Sequence, residues 1–173
     1  MPNIMRPPGL TRYQATELDL RSIEATFELV EENVHLRLLG TPISNADYAG
    51  YGEGLYFFLL NFEDSKFKIY LGRTNTLRRR MREYTSPFQP HSPNDFKLQA
   101  FQSYLSDTLP TATLDLLFQR LPSSSLKGAE TAGINRYSPL LNEPSQPTRE
   151  ARHALQKAFS QYIRSTFEQR LQE

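Results

Sequence analysis

Apolar residues along this chain follow three patterns. Leu20, Ile23, Phe27, Val30, Val34 and Leu38 recur at spacings of three and four, which predicts one or two acidic amphipathic helices over 16–39. Gly40-Thr41-Pro42 stops that pattern, and 45–53 reads as a loop. In Gly54-Leu55-Tyr56-Phe57-Phe58-Leu59-Leu60 the glycine is followed by an unbroken run of bulky residues, the mark of a buried strand. Asn61 to Ser65 is turn chemistry, Phe67-Lys68-Ile69-Tyr70-Leu71 resumes the strand pattern, and Gly72 ends it. A β-hairpin is expected.

Thr74 or Thr76 can cap a helix running to about Tyr84, and Asn94 can cap another from Asp95 to Ser106. A third strand is expected over Thr113–Arg120. Pro122 to Ser125 reads as a turn, with a short helix from Glu130 to about Asn135 that Ser138-Pro139 stops. The last helix carries an apolar stripe of Ala151, Leu155, Ala158, Phe159, Tyr162, Ile163, Phe167 and Leu171. Residues 1–15, rich in proline, read as poorly ordered or draped over the surface. The sum is an α+β fold: a small, mainly antiparallel three-stranded sheet flanked by helices, with extra N- and C-terminal helices. Its expected parts are a helical extension over 1–50, a core over 51–145, and a C-terminal helix over 146–173 that packs on the core or on a dimer partner.

Length and composition narrow this picture. The 173 residues fit one domain. The chain has no cysteine, which excludes disulfides and thiolate metal sites, and its three histidines (His35, His91, His153) lack metal-ligand spacing. No apolar stretch reaches membrane-spanning length, and the N-terminus lacks the apolar core of a secretory signal, so the chain reads as soluble and cytoplasmic. The formal net charge of +1 hides a strong segregation. From Ser65 to Arg82 the charged residues are Lys66, Lys68, Arg73, Arg78, Arg79, Arg80 and Arg82, all basic; Glu17, Asp19, Glu24, Glu28, Glu31 and Glu32 face only Arg21 earlier in the chain. A local basic field steers anions even in a near-neutral protein. Taken alone, Tyr56 and Tyr70 read as core aromatics, the arginine run as a solvated helix face, and Glu130 as a first-turn acid that complements a helix dipole.

Their joint spacing changes that. Gly54-Leu55-Tyr56 and Tyr70-Leu71-Gly72 stand on the two hairpin strands. Arg73 is three residues after Tyr70, Arg80 ten after it, and Tyr84 four after Arg80. Glu130 follows a further helix and strand, with Pro139 and Asn142 about a dozen residues beyond it. This set resembles the GIY-YIG nuclease family over about Gly52 to Asn142, with leucine for isoleucine in both triplets. The gap between triplets is longer than in compact members, which is expected to lengthen the hairpin turn.

The resemblance implies a metal-dependent endonuclease that hydrolyses DNA phosphodiesters, of restriction or defence type. Tyr70 is then the general base, with its pKa lowered by the arginines and a metal; Tyr56 orients water or phosphate. Arg80 clamps the scissile phosphate, and Tyr84 assists. Arg73, Arg78 and Asn142 bind substrate or orient groups around it. Glu130 is the single ligand of one divalent cation, Mg²⁺ or Mn²⁺, since a hard ion suits carboxylate and water ligation. DNA is the expected partner, no membrane is involved, and the C-terminal helix is the candidate homodimer face. The alternatives are a catalytically silent nucleic-acid-binding or interaction module on the same scaffold, and a nuclease toxin.

Overall fold

The computed structural model describes residues 6–34, 48–85, 93–142, 164 and 167–173. The first helix, α1 (Glu17–Thr26), begins where the sequence supplies a reciprocal cap. Thr16 Oγ1 accepts the Asp19 backbone N–H at 3.1 Å, and Asp19 Oδ2 accepts the Thr16 N–H at 3.0 Å. Asp19 also receives Lys68 Nζ at 3.2 Å, so a buried lysine of the sheet is neutralised by the helix cap. Burial alone would raise the Asp19 pKa. The Thr16 backbone hydrogen bond and the Lys68 charge outweigh it and hold the carboxyl below its usual value.

The helical expectation fails beyond Thr26. Phe27 is extended, and Glu28–Val34 is a strand, β1, at one edge of the sheet. The reason lies in its irregular pairing. Register shifts between Leu29 and Glu31 and between Glu31 and Val34, with Asn33 at positive φ, break the two-residue alternation. What remains is a spacing that imitates a helix. Charges at Glu28, Glu31 and Glu32 also blunt the open edge against pairing with another chain.

Strands β2 (Gly54–Phe62), β3 (Ser65–Thr74) and β4 (Thr113–Arg120) complete a four-stranded antiparallel sheet in the order β1-β4-β2-β3. The fold is therefore α+β, with four strands where three were expected. The β2–β3 turn is not lengthened. Only Glu63 and Asp64 lie between the strands, both at positive φ, as a two-residue primed turn requires. The extra residues between the triplets extend the strands instead.

Helix α2 (Leu77–Thr85) follows β3 after two residues, and α3 (Pro93–Thr108) precedes β4. The side chains of Asn94 and Tyr84 lie outside the described residues. The last helix of the core, α4 (Ser123–Tyr137), is longer than expected, because the serines after Pro122 form its first turn. Both sheet faces are covered. One carries Tyr56, Phe58, Ile69, Tyr70, Leu116 and Phe118 against Leu77 and Met81 of α2 and Leu98 and Phe101 of α3. The other carries Leu55, Phe57, Leu71 and Leu117 against Ile23 of α1 and Leu126 and Tyr137 of α4.

Of the N-terminal segment, the described residues from Arg6 onward are firmly seated on this body. A 3-10 turn over Pro8–Tyr13 buries Leu10 and Tyr13 in the larger core cluster. Residues 167–172 are helical, and Phe167 and Leu171 are buried in that same cluster. The rest of the C-terminal stripe, Ala151 to Ile163, lies outside the described residues. Among the described residues no helix is long and apolar enough to cross a membrane.

Candidate active site

The hairpin register sets the two tyrosines side by side. Tyr56 pairs with Gly72, and Phe58 pairs with Tyr70, so Tyr56 and Tyr70 are diagonal neighbours on one face. Their ring centroids are 6.0 Å apart. The glycines are needed sterically. A Cβ on Gly72 would stand 2.4 Å from the Tyr56 Cζ and Oη, and one on Gly54 would stand 2.0 Å from the Gln119 carbonyl of β4. A bulge also takes part. Phe58 faces Tyr70 but Leu59 faces Lys68, which leaves Ile69 as the extra residue. The bulge turns Tyr70 onto the same face as Phe67 and Ile69, while Lys68 reaches α1 on the other.

Helix α2 supplies the arginines. Buried Leu77 and Met81 anchor it, and Arg80 lies mostly buried along the sheet end. Arg80 Nε donates to Tyr56 Oη at 3.0 Å, and its Nη1 donates to Glu83 Oε2 at 2.7 Å. The Tyr70 ring lies beside that of Tyr56, tilted by 39°. Tyr56, Arg80 and Glu83 thus form one hydrogen-bonded chain, with Tyr70 packed beside Tyr56. The expected lowering of the Tyr70 pKa is not found. Burial pushes it well above the usual tyrosine value, and Tyr56 and Glu130 push the same way; Arg80 alone pulls it down. Burial wins because a phenolate at this position would lose nearly all its hydration.

Helix α4 closes the other wall. Glu130 is the eighth residue of a 15-residue helix, so it is not a first-turn acid. Gly133, three residues on, lets α4 approach the sheet: a Cβ there would stand 2.4 Å from Leu71 Cδ2. That close packing brings Glu130 to the outer edge of β3. Its Oε1 lies 3.4 Å from Arg73 Nε. Burial raises the Glu130 pKa, and the neighbouring Arg73 acts against the rise.

Asn142 holds the same edge two residues earlier. Its Oδ1 accepts the Leu71 N–H at 2.8 Å, and its Nδ2 donates to the Leu71 carbonyl at 2.8 Å. The side chain completes a backbone ladder. Both ends of the amide are committed to β3, so the substrate contact expected of Asn142 gives way to a positioning role.

Between these walls lies a cleft of about 430 Å³. Arg73, Thr74 and Asn75 line it from the end of β3, Arg79, Arg80 and Glu83 from α2, and Ser123 and Leu126 from α4. Arg78, expected as a substrate contact, is exposed and stands outside this lining; Arg79 takes its place. Sequence reasoning missed Arg79 and Glu83. The signal was there, since Glu83 lies four residues after Arg79 and three after Arg80, the spacing at which helical side chains meet. It also missed Ser123, because that residue was read as turn, and Glu53, which accepts a hydrogen bond from the Ser123 hydroxyl.

Among the described residues no group of three His, Cys, Asp or Glu gathers around one point. Glu130 is a half-buried carboxylate outside the cleft lining, joined to it by its ion pair with Arg73. Its oxygen chemistry fits a hard cation such as Mg²⁺, which keeps most of its ligands as water and phosphate. No protein-family model matches the chain, and no curated protein and no solved structure matches it.

Proposed function

We propose that this protein is a metal-dependent endonuclease of the GIY-YIG type that hydrolyses DNA phosphodiesters. One observation carries the reading: Arg80, held by Tyr56 with Tyr70 alongside, lines an arginine-rich cleft beside the Arg73–Glu130 pair. Residues separated by up to 74 positions in the sequence are thereby gathered in the combination that phosphodiester hydrolysis requires.

Arg80 is preorganised. Tyr56 and Glu83 fix its plane, so little side-chain entropy is lost when it meets a phosphate oxygen. Arg73 and Arg79 add charge on either side and hold the neighbouring backbone. A divalent cation held by Glu130 would offset the charge on the phosphate and stabilise the leaving oxygen. Tyr70 packs beside Tyr56, which holds Arg80. To accept a proton from water as well, Tyr70 must work against its own burial.

That burial favours a second reading, a module that binds nucleic acid without cutting it. The intact Arg80, Glu130 and tyrosine set argues for the enzyme. The test is incubation of supercoiled plasmid and of a single-stranded circle with Mg²⁺, with Mn²⁺ and with chelator. Nicked or linear product with metal alone supports the nuclease. Retarded but uncut DNA in every lane, with the protein folded, supports the binding module.

A further inference from the structure

The two arginines of α2 that face the cleft do not point into it as bare cations. Glu83 stands between them, with Oε2 at 2.7 Å from Arg80 Nη1 and Oε1 at 3.7 Å from Arg79 Nε. A carboxylate that places one oxygen on each of two guanidinium groups presents the same geometry as two non-bridging oxygens of a phosphate. Glu83 lines the cleft itself and is partly exposed, so an entering anion can reach the groups it holds. The fixed partner of the pair is Arg80, which Tyr56 grips from behind through Nε. Arg79 is the more loosely held partner; its side chain is mostly exposed and its contact with Glu83 is the longer one.

We propose that Glu83 is a positioning residue that stands in for a phosphate: it holds Arg79 and Arg80 aligned in the free protein and is displaced when a backbone phosphate of nucleic acid enters. The proposal rests on the nuclease reading for the identity of the anion, but not for the exchange itself, which any phosphate monoanion or dianion of suitable size would drive. The exchange has two consequences. The arginines need no reorganisation on binding, and every phosphate must compete with an internal carboxylate. Weak, non-specific anions are thereby disfavoured, whereas a polyanion that also engages Arg73 gains enough to displace Glu83.

The test uses the full-length protein, with inorganic phosphate as the probe and the arginine Nε–H signals as the readout. In wild type, phosphate should shift the Arg79 and Arg80 signals and leave Arg21 unmoved, since Arg21 is paired with exposed Glu17 away from the cleft. Glu83→Gln keeps the shape and removes the charge. It should bind phosphate about two- to fivefold more tightly, the range expected when a partly exposed ion pair no longer competes. Glu83→Asp should keep the competition and bind as wild type does. Glu83→Gln binding phosphate no more tightly, or more weakly, would overturn the proposal, because the glutamate would then be structural support for the arginines. Unmoved Arg79 and Arg80 signals in wild type would overturn it as well, without need of any variant. Loss of plasmid cleavage tests the nuclease reading separately, and either can fail while the other stands.

Discussion

At the scale of single residues, the site is governed by what burial does to each charge. Tyr70 is the sharpest case. Its folded pKa lies well above the usual value of 10.0 because burial outweighs the pull of Arg80. Two consequences follow with definite sign. If Tyr70 accepts the proton, its phenolate fraction below that pKa grows about tenfold per pH unit. Single-turnover cleavage should then climb steadily from pH 7 to 10 without a plateau, and Tyr70→Phe should remove the slope. A plateau below pH 9 would assign the proton to another acceptor. The unfolded chain also releases its tyrosine proton first, so the folded state binds more protons above about pH 10 and stability falls as pH rises there. Asp19 works in the opposite range. Its pKa is held below 3.8, so the stability it contributes with Lys68 is present above that value and is lost as pH falls through the folded pKa.

Among the secondary-structure elements, the hairpin is the part that the sequence displayed most clearly. The unbroken apolar run of β2, the glycines that flank the triplets and the basic residues after Gly72 all have local causes, and they are found where those causes put them. The glycines differ in how hard they are to replace. In Gly72→Ala the new Cβ meets the end of the Tyr56 ring, which can tilt; the expected cost is about 1–3 kcal/mol, with loss of the Tyr56–Arg80 bond. In Gly54→Ala it meets the β4 backbone, which cannot give without opening the β2–β4 ladder, so the cost should be larger. Urea unfolding of both variants measures the difference, and equal, near-zero costs would refute this account of the triplets. Strand β1 was not legible, because its bulges and its Asn33 kink erase the alternation that marks a strand. The start of α4 was hidden as well. Three serines after a proline carry turn chemistry, and only packing of Leu126 on the sheet makes them helix. Glu83 was overlooked because attention to like charges in a basic run passes over the acid that organises them.

Across the whole molecule, opposite charges sit at opposite edges of one sheet. Acidic β1 and the arginine-lined end of β3 are separated by two strands, or about 14 Å at the usual strand spacing of roughly 4.8 Å. This exceeds the screening length of about 8 Å in physiological salt, so the basic edge attracts a polyanion with little opposition from the acidic one. Residues 8–13 and 167–171 both pack into the body that carries this field. Phe167 packs edge-on against Phe101 and Tyr104 at 5.6 Å, so Phe167→Ala should cost about 3–5 kcal/mol in chemical denaturation. A change below 1 kcal/mol would mean that residues 167–171 are dispensable to the core. The central claim is that Arg80 and Glu130 act on one phosphate across the cleft. The most direct measurement is single-turnover cleavage of plasmid in Mg²⁺ by wild type, Arg80→Ala and Glu130→Gln, with thermal unfolding of each protein alongside. Each variant should lose about 10²- to 10³-fold or more in rate while its melting temperature stays close to that of wild type. Cleavage by Glu130→Gln at the wild-type rate would contradict the account.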